Sequence, residues 1–400
     1  MKKWCGRVNK KTIRDINWEG KRAFLRVDFN VPYVRGTTTI SDDTRIKEAI
    51  PTIKYLIENN ASILLCSHLG RPDGKIQEPL RLKPIAENLA SLLDTEVVYL
   101  HDLSIPSFNE LPMEPGSVYM LENIRFWPGE ELNDPDFAAA LSGMADVYVN
   151  DAFGAAHRAH ASTEGIARYL PAVSGLLMEK ELTFLGDILS QPQKPLAAIF
   201  GGAKVSDKIR ILDRLLGHAD HILVGGGMAA TFLYAQGYGI GSSLLEQDMV
   251  SLCKDLLSKA SDCGTVVHLP TDVITAQKID SQAITKAVGI NNIPSNSMVL
   301  DIGRNSTNQY IEILQSMATV VWNGPMGVFE VPPFDSGTKE IANYLSSSNA
   351  ITVIGGGSTA EAITHLGLVP KMSHVSTGGG ASLEFLEGKI LPGVAALDDI

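Results

Sequence analysis

Leu196-Ala197-Ala198-Ile199-Phe200-Gly201-Gly202-Ala203-Lys204 is an unbroken apolar run that ends on two glycines and a lysine. Five apolar residues in succession, without the alternation of a one-sided strand, read as a strand buried on both faces of a parallel sheet. Glycines directly after such a strand let backbone N–H groups approach a phosphate. Outward from this stretch the same unit recurs: a short apolar run, a cluster of glycines or charges, then a longer stretch of helical periodicity. The earlier runs are Ala23–Val27, Ala61–Cys66, Ser117–Leu121 and Asp146–Val149. The later ones are His221–Val224, Thr265–Leu269, Met298–Ile302, Ala318–Trp322, Ala350–Ile354 and His374–Thr377. Eleven strands are too many for one sheet, so the expectation is an α/β chain of two doubly wound, Rossmann-like parallel sheets.

The 400 residues agree with two domains. Hydrophobic residues are 44% and charged residues 20%, ordinary for a globular protein. A formal net charge of -11 argues against a nucleic-acid partner, although a basic pocket can sit inside an acidic surface. Cys5, Cys66, Cys253 and Cys263 are far apart and form no CxxC pair, which fits reduced thiols in a cytoplasm better than disulfides or zinc. The lysines near Met1 precede no apolar stretch, so no signal peptide is expected. No apolar run reaches about 18 residues, so no membrane span is expected either.

Ligands of open α/β sheets sit outside the carboxyl ends of the strands, and the two halves differ there. In the first half the trailing residues are Asp28 and Asn30, His68 and Arg71, Arg125, then His157, Arg158 and His160, with Arg45 close by in sequence. In the second half they are Gly201, Gly202 and Lys204, Gly225–Gly227, Gly324, Gly355–Gly357 and Gly378–Gly380. Guanidinium groups grip phosphate and carboxylate as a two-pronged fork. One half therefore reads as a site for a small polyanion, the other as a site for a nucleotide. Each glycine alone would read as a turn and each arginine alone as a solvated charge; it is their repetition that carries the reading. Neither GxGxxG nor GxxxxGK[ST] is present. Lys204 and Lys208, four apart, are expected on one face of an opening helix turn.

Arg26-Val27-Asp28-Phe29-Asn30-Val31-Pro32 resembles a signature of the phosphoglycerate kinase family. The resemblance continues through Ser67–Pro72, Leu121–Phe126, Ala156–His160, Gly201–Lys208, Gly225–Met228, Trp322–Glu330, Thr377–Ser382 and Leu386–Gly393, in family order along the whole chain. It implies an N-terminal phosphoglycerate-binding domain (1–174), an interdomain helix (175–190), a nucleotide-binding domain (191–387) and a tail (388–400) that packs back on the first domain. It implies reversible transfer of the acyl phosphate of 1,3-bisphosphoglycerate to MgADP, giving 3-phosphoglycerate and MgATP, in line after hinge closure. Carried over residue by residue, the triose site falls on Asp28, Asn30, Arg45, His68, Arg71, Arg125 and Arg158. The nucleotide site falls on Gly202, Lys204, Lys208, Asn323, Glu330, Gly356, Gly357, Ser358 and Thr359, with Gly379 and Gly380 offering backbone donors. Arg45, Lys204, Gly357 and Gly380 would meet the transferring group. The family implies a cytoplasmic monomer with no nucleic-acid or membrane partner.

The reacting carboxylate is already ionised at pH 7, so no proton has to move. His157 and His160 are therefore expected in structural roles. Two departures stand out. Ser358 occupies the position where the resemblance implies an Asp ligand of Mg²⁺. Water, Thr359 or Glu361 could compensate, or the nucleotide phosphates could hold the metal. In Leu300–Asn305 the family's Pro-Lys is replaced by Arg304-Asn305, which bears on the nucleotide contacts. Two alternatives remain open at this point: another acyl-phosphate kinase, and a non-catalytic binding protein on the same fold.

Overall fold

The structure is a computed structural model that describes residues 9–101 and 113–400. Lys2, Lys3 and Cys5 lie outside the described residues. The chain divides into two compact units, Met1–Thr183 with Lys389–Ile400, and Phe184–Gly388. The boundary falls within the helix Leu176–Ser190.

In the first unit, strands β1 (Arg22–Arg26), β2 (Ser62–Cys66), β3 (Val97–Leu100), β4 (Val118–Leu121), β5 (Val147–Asn150) and β6 (Ala172–Ser174) form one sheet in the order β3-β4-β2-β1-β5-β6. Every pairing is parallel. The helix Thr44–Glu58 buries Ile46, Ala49, Ile53 and Leu56, the stripe that a period of 3.6 places on one side. The tail belongs here. Asn150 Nδ2 donates to Gly393 O (3.1 Å), Asp398 N donates to Ala172 O (2.8 Å), and buried Lys10 Nζ donates to Leu397 O (2.6 Å).

The second unit holds β7 (Leu196–Phe200), β8 (His221–Val224), β9 (Val266–His268), β10 (Asp272–Ala276), β11 (Lys286–Gly289), β12 (Met298–Ile302), β13 (Thr319–Asn323), β14 (Ile351–Gly355) and β15 (His374–Val375). Six of them make a parallel sheet, β15-β14-β13-β7-β8-β9. β10, β11 and β12 form a separate antiparallel sheet in the order β11-β10-β12.

The expectation of two doubly wound parallel sheets therefore holds, with one correction. Met298–Ile302 is a strand, but it pairs antiparallel with β10 in the small sheet. One face of that sheet packs Ala276 and Leu300 against Phe334, and β11 is largely exposed, so its residues did not need to be apolar. β3, four residues long and half-exposed, and β6, three residues long, are likewise absent from the strands the sequence singled out.

Strand order reverses between β1 and β5 in one sheet and between β7 and β13 in the other. A crevice at the carboxyl ends is expected at such points. They are where Asp28, and Gly201 with Asn323, are found.

Candidate functional site

The first unit gathers its polar residues in loops that leave β1, β2, β4 and β5. Arg45, in the first turn of the helix Thr44–Glu58, donates from Nη1 to Asp28 Oδ2 at 2.8 Å. Gly70 joins two further residues: its N–H donates to Asn30 Oδ1 (2.9 Å), and its carbonyl accepts from Arg125 Nη1 (2.7 Å). Gly70 has φ +63, and a Cβ there would press into the Leu80 side chain, so a glycine fits this turn best.

Arg125 is buried, and its Nε lies 3.1 Å from Glu131 Oε1. Burial, together with Arg26 and Arg158 nearby, pulls its pKa down to about 10, so it stays charged at pH 7. Arg158 Nε donates to His157 Nε2 at 3.2 Å. Burial first, then the arginines, lowers His160 to about 4 and His68 well below the ordinary histidine value. His68 Nδ1 lies 3.8 Å from Asp28 Oδ1, but this is no ion pair, because the ring is neutral. Asp28, Asn30, Arg45, His68, Arg125 and Arg158 thus share one charged neighbourhood, while Arg71 is exposed just beyond it.

The second unit builds its site from backbone. Gly201 N donates to Asn323 O (3.1 Å), Gly202 N to Pro325 O (2.9 Å) and Gly226 N to Met326 O (2.8 Å), which closes the ends of β7, β8 and β13 on one another. Gly324 has φ +100, and a Cβ there would run into the Gly201 carbonyl. Lys208 Nζ donates to Asn323 Oδ1, and burial lowers the Lys208 pKa. Asn323 Nδ2 is buried without a hydrogen-bond partner among the described residues.

Beside it, Gly356 caps the helix Gly357–His365 with φ +83. The first N–H groups of that helix have no partner within the helix. Ser358 is exposed in its first turn, whereas buried Thr359 accepts the Gly324 N–H on Oγ1 (2.6 Å). Glu330 is exposed and lines a cavity of about 310 Å³ with Phe329, Lys339, Glu361 and His365. Asn323, Gly356 and Ser358 are not part of that lining.

One expectation fails. Lys204 and Lys208 do not share a helix face, because the helix begins at Ile209. Glu246 takes the N–H groups of Val205 and Ser206 into its carboxylate and holds this segment as turns; Lys204 is left exposed. The sequence reading also passed over Arg26, Ser162 and Glu130, all fully buried. The available signal was an arginine inside the otherwise apolar run Ala23–Val27, since a buried charge requires partners.

Residues 13–389 match the family model described as phosphoglycerate kinase. A phosphoglycerate kinase of Herpetosiphon aurantiacus is 52% identical over 394 residues, 98% of this chain and 100% of that one. The chain belongs to the phosphoglycerate kinase family. Phosphoglycerate kinase activity, a step of glycolysis, goes with that membership. Among solved structures, phosphoglycerate kinase from Coxiella burnetii is similar at a TM-score of 0.89 and 40% identity, covering 97% of this chain and 98% of that one. The enzyme from Pyrococcus horikoshii is similar at 0.82 and 32%, with the same coverage. The family uses ADP or ATP with Mg²⁺.

Proposed function

We propose that the first unit binds the phosphoglycerate and the second the nucleotide, and that the acyl phosphate of 1,3-bisphosphoglycerate passes reversibly to MgADP. The observation that carries this reading is the cluster of arginines around neutral His68 at the ends of β1, β2 and β4. Such a cluster suits a small ligand with a phosphate at one end and a carboxyl at the other. In this reading Asp28 and Asn30 bond its hydroxyl. Arg71, Arg125 and Arg158 take the phosphate that does not move. His68 and Arg45 face the reacting carboxyl.

On the other side, the orphaned Asn323 Nδ2 and the free N–H groups at Gly356–Ser358 and at Gly379–Gly380 fit phosphate oxygens. Gly202 borders them, Lys208 reaches the same place through Asn323, and Glu330 holds the ribose. In the direction of ATP use a carboxylate oxygen of 3-phosphoglycerate attacks the γ-phosphorus, and the bond to the β,γ-bridging oxygen breaks. No proton moves, so this chain supplies position and positive charge, with Arg45 and Lys204 on the transferring group beside the amides of Gly357 and Gly380.

The donor set fits Mg²⁺ only in one form. Among the described residues no three His, Cys, Asp or Glu side chains could hold a metal. Thr359 Oγ1 is engaged by Gly324. Ser358 offers one neutral hydroxyl, which suits an ion carried by the nucleotide phosphates that keeps its waters. When bound, Mg²⁺ neutralises charge on those phosphates.

The reading includes a cytoplasmic monomer acting on small molecules. Among the described residues no helix is long and apolar enough to cross a membrane. The test is a coupled assay with 3-phosphoglycerate and MgATP, in which a dehydrogenase consumes the product and NADH loss is followed. Turnover that Lys204→Ala or Arg45→Ala abolishes is the expected result. Nucleotide binding without turnover at any Mg²⁺ concentration would overturn it.

A further inference from the structure

Arg26 ends β1 with no exposure to solvent, and each arm of its guanidinium has a partner. Nε donates to Ser162 Oγ (2.8 Å), Nη1 to the Val27 carbonyl, and Nη2 to His68 Nδ1 (3.2 Å). Ser162 passes the link on, donating from Oγ to Glu130 Oε1 (2.7 Å) and from its N–H to Oε2 (2.9 Å). The serine's one hydroxyl proton goes to Glu130, so its lone pair is free to accept from Arg26. Each nitrogen of Arg26, and both the hydroxyl and the N–H of Ser162, thus has an acceptor.

The arm toward His68 decides a proton. A guanidinium has donors only and does not deprotonate in a protein. His68 Nδ1 must therefore accept, and a nitrogen that accepts carries no hydrogen. The ring is then neutral, with its proton on Nε2.

We propose that Arg26 is a positioning residue that holds His68 as the neutral ring protonated on Nε2, so that the ring presents a neutral N–H donor. The charged groups around the ring agree. Arg26 and Asp28 come from the end of β1, Arg45 from the helix Thr44–Glu58, Arg125 from the turn Ile124–Phe126, and Arg158 from the loop after β5. Asp28, the one acid among them, gives Oδ2 to Arg45. That the Nε2–H meets the reacting carboxyl rests on the function proposed above; the tautomer does not. A neutral donor beside several arginines adds direction without adding further attraction for the ground-state carboxylate.

The test uses the full chain with ¹⁵N-labelled histidine and two-bond ¹H–¹⁵N spectra from about pH 5 to about pH 8, the range in which an ordinary histidine titrates. The expected wild-type result is an unprotonated Nδ1 and a protonated Nε2 throughout. A proton on Nδ1, or an imidazolium signal above about pH 6, would overturn the proposal without any variant. Arg26→Met is expected to mix the tautomers and to raise KM for 3-phosphoglycerate about tenfold, the effect of one misdirected hydrogen bond to a charged group. Arg26→Lys, which can still donate, should recover part of both. Ser162→Ala, a smaller change, should loosen the tautomer preference in a chain that folds; an unchanged spectrum in both Arg26→Met and Ser162→Ala would count against the proposal. Adding 3-phosphoglycerate should shift the Nε2 resonance. A correct tautomer with an unmoved resonance supports the hold of Arg26 on the ring and removes His68 from the substrate site.

Discussion

Arg45 Nη1 and Asp28 Oδ2 stand 2.8 Å apart, joining the first turn of a helix to the loop that leaves β1. A third of the Arg45 side chain is exposed, 33%, so it keeps a face for a ligand while its other side is held. The pair adds little to stability, because a partly exposed ion pair contributes ~1 kcal/mol or less. Its value lies in aiming the cation.

Arg45→Ala is expected to lower turnover about a hundred- to a thousand-fold, as loss of other preorganised donors does. Thermal unfolding should barely move. Asp28→Asn keeps the shape and removes the charge that holds Arg45, so it should raise KM for 3-phosphoglycerate more than it lowers kcat. Steady-state kinetics with both substrates checks this. Wild-type turnover in Arg45→Ala would remove Arg45 from the reaction.

Ser358→Asp places a carboxylate at the first turn of Gly357–His365, where Ser358 is exposed. Half-maximal rate should then require several-fold less Mg²⁺, for about 1 kcal/mol of added attraction between exposed charges. A Mg²⁺ titration of the two proteins at fixed nucleotide decides the matter, and identical half-saturation would show that this position does not sense the metal.

Gly324→Ala adds a Cβ at φ +100 against the Gly201 carbonyl, with backbone on both sides and nothing flexible to yield. The ends of β7 and β13 must separate. A loss of about 2 kcal/mol or more is expected, and ADP affinity should fall with it. Calorimetry of ADP binding alongside thermal unfolding gives both numbers; retained affinity would place the nucleotide elsewhere.

Asp151 gives a pH dependence. It is fully buried at the end of β5, and Oδ1 accepts the N–H groups of Leu177 (2.9 Å) and Met178 (3.0 Å). Burial pushes its carboxyl up to about 6. In the unfolded chain it titrates near 4. The native state thus holds its proton more tightly, so the contribution is complete below about pH 4 and is lost as pH rises through about 6. It amounts to about 3 kcal/mol at most. Asp151→Asn keeps an Oδ1 acceptor and removes the titration. Urea unfolding at about pH 4.5 and about pH 7.5 should show a smaller fall in stability for the variant than for wild type. Parallel slopes would assign the dependence to other groups.

The strands that the sequence showed clearly were those buried on both faces. Leu196–Phe200 is buried at every residue and wholly apolar, and Ser62–Cys66 is buried throughout and apolar from Ile63 to Leu65. Val97–Leu100 and Lys286–Gly289 are only four residues each and have no fully buried residue, and they were not picked out. The polar candidates were legible by type and place, since strand ends in α/β sheets collect ligands. Their pairings were not. Asp28 and Arg45 stand far enough apart in sequence that nothing local dictates their contact.

By itself the amino-acid sequence determined the α/β class, the two kinds of strand end and the family, because these depend on local pattern and short motifs. The tertiary structure decided the rest. It placed Met298–Ile302 in an antiparallel sheet, turned Lys204–Lys208 away from a helix through Glu246, and set the His68 proton through Arg26. Each of these depends on which distant group supplies a hydrogen bond or excludes water, and only the folded chain brings those groups together.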